Sequence, residues 1–132
     1  MRRDPHVDRL RAVSVLLVDD DHDTLDVVAT YLDHYGALVG RAATGHAALR
    51  YLETTRPDVM VVDYTMPGMS GVELLERVRK MDRAEQAPIP AILCSAVAGL
   101  AAVARAAGFA SYITKPFDPM VLVEEIARLA GV

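Results

Sequence analysis

Short apolar runs alternate along this chain with stretches in which apolar residues recur every three or four positions. The runs at residues 14–19 (SVLLVD), 37–42 (ALVGRA), 58–63 (DVMVVD), 91–95 (AILCS) and 111–114 (SYIT) read as strands, several apolar enough to be buried on both faces. Between them, residues 23–35 carry Leu25, Val28, Leu32 and Tyr35 on one helical face, and Gly36 follows as a stop. Thr44 caps a second helix bearing Ala48, Leu49 and Leu52, which Pro57 ends. Residues 72–81 place Val72, Leu75 and Val78 on one side, residues 98–107 form an Ala-rich helix ended by Gly108, and residues 118–130 turn Leu122, Ile126 and Leu129 inward. Pro88 and Pro90 precede the fourth strand, where no ladder donor is needed. Five strands alternating with five helices make an α/β chain of βαβ units, a parallel sheet with helices on both faces. The chain shows no repeat, low-complexity segment or long linker. It reads as one domain over residues 13–132 behind a polar tail at 1–12.

In such folds ligands sit outside the carboxyl ends of the strands. The first strand runs into VLLVDDDHDT, three consecutive aspartates (Asp19, Asp20, Asp21) with Asp23 close behind. Neighbouring carboxylates repel by roughly 1 kcal/mol per close pair in water and by more where solvent is scarce. The third strand ends in Asp63, the fourth in Ser95, and Lys115 follows the fifth. Taken singly, each has a plain explanation. The aspartates suit the start of a helix, Asp63 a turn, Ser95 a helix cap and Lys115 the surface. Together on one rim they suit a cation and an anionic group arriving at Asp63, since Mg²⁺ is held by one or two carboxylates with waters and phosphate oxygens. Lys115 is one of two lysines against twelve arginines, a weak sign that a compact ammonium is wanted there.

Composition narrows the function classes. Aromatics are only 5% of residues, so aliphatic side chains build the core. A net charge of −4 with scattered basic residues argues against direct binding to nucleic acid. The single cysteine, Cys94, excludes an intrachain disulfide framework and points to a reducing, cytoplasmic setting. Residues 86–104 are uncharged, but Pro88, Pro90, Gln86, Ser95 and the many alanines read as strand, loop and helix rather than a membrane span. MRRDPHVDRLR lacks the apolar region of a secretory signal.

The acidic pair after the first strand, Asp63 followed by YTMPGMSG, Ser95-Ala96 after the fourth strand and Lys115-Pro116-Phe117 give the chain its family likeness. It resembles a response-regulator receiver domain of two-component signal transduction, of the CheY-like superfamily, over residues 14–130. The resemblance implies the flavodoxin-like (βα)5 fold with strand order 2-1-3-4-5. It implies that Asp63 is the phosphoacceptor, taking a phosphoryl group from the phosphohistidine of a sensor histidine kinase or phosphotransfer protein, or from a small acyl phosphate. Mg²⁺ would be bound by Asp20 directly, by Asp19 through water, by Asp63 and by the backbone carbonyl of Thr65. Lys115 would pair with the phosphoryl oxygens and Ser95 would hydrogen-bond one of them. Tyr112 stands at the switch aromatic position, the Lys115–Pro116 bond is expected to be cis, and the fourth helix, fifth strand and fifth helix form the signalling face toward an effector protein or a second copy. Such a domain is no enzyme beyond assisting its own phosphorylation and slow dephosphorylation. This division of labour suits phosphoryl transfer, which needs positioning and charge neutralisation.

The chain departs from the pattern in places. Serine replaces the commoner threonine at position 95, keeping the hydroxyl, and His22 stands where the family often has proline. His22 is read as a solvated helix-start residue rather than a metal ligand. His6, His34 and His46 show no ligand spacing, and Cys94 is read as a small core residue. From Ala98 to Ala110 the only charge is Arg105, which fits either a helix of high intrinsic propensity or a docking face. Two other functions are weighed. A haloacid-dehalogenase-like phosphatase shares the Asp, Mg²⁺, hydroxyl and Lys, but its D-x-D-x-T-L frame fails here, because Asp23 rather than Thr lies four positions after Asp19. A receiver-like interaction module that is not phosphorylated normally lacks the acidic pair, the acceptor or the lysine, all present here.

Overall fold

The computed structural model describes residues 6–81 and 86–132. The elements are β1 (Ser14–Val18), α1 (His22–His34), β2 (Leu38–Ala42), α2 (Gly45–Thr54), β3 (Val59–Asp63), α3 (Gly71–Met81), β4 (Ala91–Ser95), α4 (Ala101–Ala107), β5 (Ser111–Thr114) and α5 (Pro119–Ala130). The strands form one parallel sheet in the order β2-β1-β3-β4-β5, as the resemblance implies. Except at α4 and at the end of α2, which stops at Thr54 ahead of Pro57, the helix and strand limits read from the sequence agree with these within one residue.

Alternation along the central strands divides the core into two layers. Val15 and Leu17 face Leu25 and Leu32 of α1 and Leu122 and Ile126 of α5. Leu16 and Val18 face Ala48 of α2, Leu74 and Leu75 of α3 and Ala104 of α4. Burying one such leucine completely contributes roughly 1.5–3 kcal/mol. With both faces covered, the chemistry is left to the rim where the strands end.

The helix starts follow their caps. Asp21 accepts from the amides of Asp23 and Thr24, Thr44 from that of Ala47, and Asp118 from that of Met120, with Pro119 opening α5. The exception is α4, expected over 98–107 and found only at Ala101–Ala107. Its N-cap is Leu100, which makes no side-chain cap bond, and Gly99 just before it sits at φ +80°. Ser95, one candidate cap, spends its hydroxyl nearer home, accepting from the Val97 amide. The uncharged stretch at 86–104 is thus β4, bends and the start of α4. Among the described residues no helix is long and apolar enough to cross a membrane.

The stretch read as a polar tail also has a place in the structure; its residues 1–5 lie outside the described part. Residues 6–12 form turns folded against the domain. Leu10 is fully buried in the α1/α5 layer, its amide donating to the Tyr35 carbonyl, and the Ala12 amide donates to the Gly36 carbonyl. The Arg9 guanidinium pairs with Glu124 of α5 at 3.1 Å. A lone leucine among charged residues shows no periodicity, so the sequence carries no sign of this packing. Replacing Leu10 with alanine should lower stability by about 2–5 kcal/mol, the usual range for emptying a leucine site in a core. A urea titration of the full chain tests this, and an unchanged midpoint would show that the segment is not part of the cooperative fold.

Candidate functional site

The parallel sheet brings the expected residues to one rim. Asp19 follows β1 directly, Asp63 ends β3 beside Cys94, Ser95 ends β4 beside Thr114, and Lys115 follows β5. Carboxylate oxygens of Asp19, Asp20 and Asp63 lie within 4.8 Å of one another, the sole such cluster of His, Cys, Asp and Glu among the described residues. Lys115 Nζ donates to Asp19 Oδ2 at 2.8 Å and to Asp63 Oδ1 at 3.3 Å. The other oxygen of Asp19 accepts from the Asp21 amide at 3.0 Å. The Lys115–Pro116 peptide is cis.

Charge decides what this cluster can hold. Among the described residues three carboxylates meet one ammonium, so acidic groups outnumber basic ones in the cluster. Asp19 is buried and Asp63 half-buried, whereas Asp20 is open to solvent. Burial pushes the Asp63 carboxyl above its ordinary value; Lys115 draws it back, and repulsion from Asp19 and Asp20 adds to the rise. Burial also works against the charge on Lys115, but hydrogen bonds and attraction to Asp19 and Asp63 outweigh it and raise the ammonium's pKa. One lysine shared between two carboxylates does not satisfy both. Clustered carboxylate oxygens with one ammonium shared among them fit a hard divalent cation such as Mg²⁺.

The third aspartate has a different task. Asp21 accepts from the Asp23 and Thr24 amides and the Thr24 hydroxyl, and these bonds, the hydroxyl's first, hold its carboxyl below the usual range. His22 is the exposed first residue of α1 and lies outside the carboxylate cluster. Thr65 is exposed in the loop after β3. Cys94 is buried, and burial pushes its thiol up to about 12, the behaviour of a core residue. It lines a small cavity of about 30 Å³ beneath Asp63, together with Leu17, Val61 and Phe117.

Ser95 and Tyr112 are joined through the main chain of Val97. The Val97 amide donates to Ser95 Oγ at 3.0 Å, and the Tyr112 hydroxyl donates to the Val97 carbonyl at 2.5 Å. Both links use main-chain groups of Val97, which no residue type advertises.

The response regulator receiver domain family matches residues 15–127. The chain belongs to this family. The receiver is 39% identical to a 14.6 kDa protein of Leptolyngbya boryana, over 90% of this chain and 91% of that one. It is 31% identical to the chemotaxis protein CheY of Pseudomonas aeruginosa, covering 89% of this chain and 95% of that one. Among solved structures, the Francisella response regulator 1452 receiver domain superposes with a TM-score of 0.82 at 29% identity, over 90% of this chain and 97% of its own. Longer relatives are matched only in part: the receiver spans 14% of the sensor histidine kinase GacS of Pseudomonas protegens and 47% of the transcriptional regulatory protein CseB of Streptomyces coelicolor.

The crowding of like charge has a measurable consequence. With divalent cations chelated, Asp63→Asn should unfold at a higher urea concentration than the wild type, because the amide removes one of three repelling charges and keeps the side-chain shape. A carboxyl whose folded pKa is raised binds its proton more tightly in the fold. The stability this adds is present below the ordinary carboxylate value and lost as pH rises through the raised one, so the advantage of Asp63→Asn grows from acid to neutral pH. Equal urea midpoints at neutral pH would show that the cluster carries no net repulsion.

Proposed function

We propose that this receiver is a phosphorylation-dependent switch that accepts a phosphoryl group on Asp63. The observation that carries the reading is the placement of Asp63 on a rim with two further carboxylates and a single shared ammonium. Mg²⁺ would be held by Asp19, Asp20, Asp63 and the backbone carbonyl of Thr65, and when bound supplies positive charge to the phosphoryl oxygens. A carboxylate oxygen of Asp63 attacks the phosphorus of a phosphohistidine. The new O–P bond forms as the N–P bond breaks, and the imidazole leaves with the electron pair and takes a proton from solvent. With a small acyl phosphate, the acyl carboxylate leaves instead. Lys115, already 3.3 Å from Asp63, pairs with the transferred oxygens and Ser95 hydrogen-bonds one of them.

The output follows from the same contacts. When Ser95 turns its hydroxyl to the phosphoryl group, the Val97 amide loses its acceptor and the carbonyl that holds Tyr112 shifts with it. Ser95 and Tyr112 thereby act as the switch, and the face of α4, β5 and α5 changes its shape toward an effector protein or a second copy. This face exposes Val103 and Val121, and Val97 is exposed in the loop leading into α4. The phosphoryl source is a sensor histidine kinase or a phosphotransfer protein in the cytoplasm; similarity to segments of a sensor histidine kinase and a transcriptional regulatory protein supports both ends of that route. The domain has no activity on other substrates and does not itself bind nucleic acid.

Intact mass after incubation with acetyl phosphate and Mg²⁺ tests the reading. The expected result is one hydroxylamine-sensitive phosphoryl group on the wild type, absent without Mg²⁺ and absent in Asp63→Asn. No adduct on the wild type, with a beryllofluoride complex also failing to form, would make the chain an interaction module instead.

A further inference from the structure

Two glycines outside the charged cluster press on the segment that carries it. Gly71 opens α3 with φ on the ordinary side, so no left-handed backbone calls for glycine there. What calls for it is space. A Cβ at position 71 would stand 2.4 Å from the backbone carbonyl oxygen of Asp63 and 3.1 Å from Val62 Cγ1. The obstacle is main chain, which cannot swing aside. The Gly71 amide donates to the Tyr64 carbonyl at 2.9 Å, and the Tyr64 amide donates to the Cys94 carbonyl at 3.0 Å. The peptide units after Asp63 are therefore held from β4 on one side and from the start of α3 on the other. Gly45, at the start of α2, meets the other end of the same loop: a Cβ there would stand 2.5 Å from Met69 Sδ and 3.1 Å from Met69 Cβ, and Met69 is buried.

We propose that Gly71 and Gly45 are positioning residues for the segment 63–69. Their bare Cα atoms let α3 and α2 close on the loop and so fix the directions in which the Asp63 carboxylate and the Thr65 carbonyl leave it. The proposal rests on the reading of this rim as a Mg²⁺ site. Neither glycine touches the ion; each acts through backbone or Met69.

The test compares Mg²⁺ affinity, by calorimetry on the full chain, with the urea midpoint for the wild type, Gly71→Ala, Gly45→Ala and Gly68→Ala. Gly68 lies in the same loop at φ +79° with nothing within 4 Å of its Cβ position. Alanine there strains the backbone but pushes on nothing, so Gly68→Ala should lower the urea midpoint and keep the wild-type affinity. Gly71→Ala should weaken Mg²⁺ binding about tenfold, the low end of what disturbing the support of a metal site costs. Gly45→Ala should weaken it in the same direction while keeping the fold, because alanine favours helix and Met69 is a side chain that can move. Affinity within twofold of wild type in folded Gly71→Ala and Gly45→Ala would overturn the proposal. If Gly71→Ala does not fold, Gly45→Ala alone decides, and unchanged affinity there overturns it. A wild type that binds no Mg²⁺ would instead remove the metal-site reading, and this proposal with it.

Discussion

One imbalance of charge organises the rest of this molecule. Three carboxylates converge where β1 and β3 end, and among the described residues Lys115 is the one cation that stands with them. Keeping like charges together half out of water is unfavourable, and the two-layered core holds them there. β1 and β3, which deliver the carboxylates, are anchored by apolar side chains on both faces, and β5, which leads to Lys115, by Ile113 on one face and Tyr112 on the other. The parallel arrangement matters as much as the packing. Only when all strands run the same way do residues from β1, β3, β4 and β5 meet at a single edge.

Much of this was legible in the sequence because it depends on side-chain type at set intervals. Apolar runs of four or five residues gave the strands, and the stops at Gly36, Pro57 and Gly108 separated the helices. Asp63 and Lys115 fell at strand ends by simple counting. The triple aspartate was only partly legible. Residue type alone could not tell that Asp21 caps α1 while Asp19 and Asp20 turn to the cluster, since all three are aspartates; only the family resemblance set the pair apart from Asp21.

Other features were hidden for physical reasons of two kinds. Leu10 is one apolar residue in a charged stretch, and a single buried anchor produces no period to detect. The late start of α4 turns on Gly99 and on the absence of a side-chain cap at Leu100, which intrinsic helix propensity alone did not reveal. The tight approach of α3 to Asp63 is recorded only as a glycine whose φ is unremarkable. Nothing in the letter distinguishes a glycine chosen for rotation from one chosen for clearance.

The connection between Ser95 and Tyr112 runs through the peptide groups of Val97, a residue that is 48% exposed. The wiring and the surface at this position are therefore separate properties. A different side chain at 97 repaints the outer face without cutting the line beneath it, so the domain's interior logic and the identity of what reads it can diverge independently in descendants of this sequence.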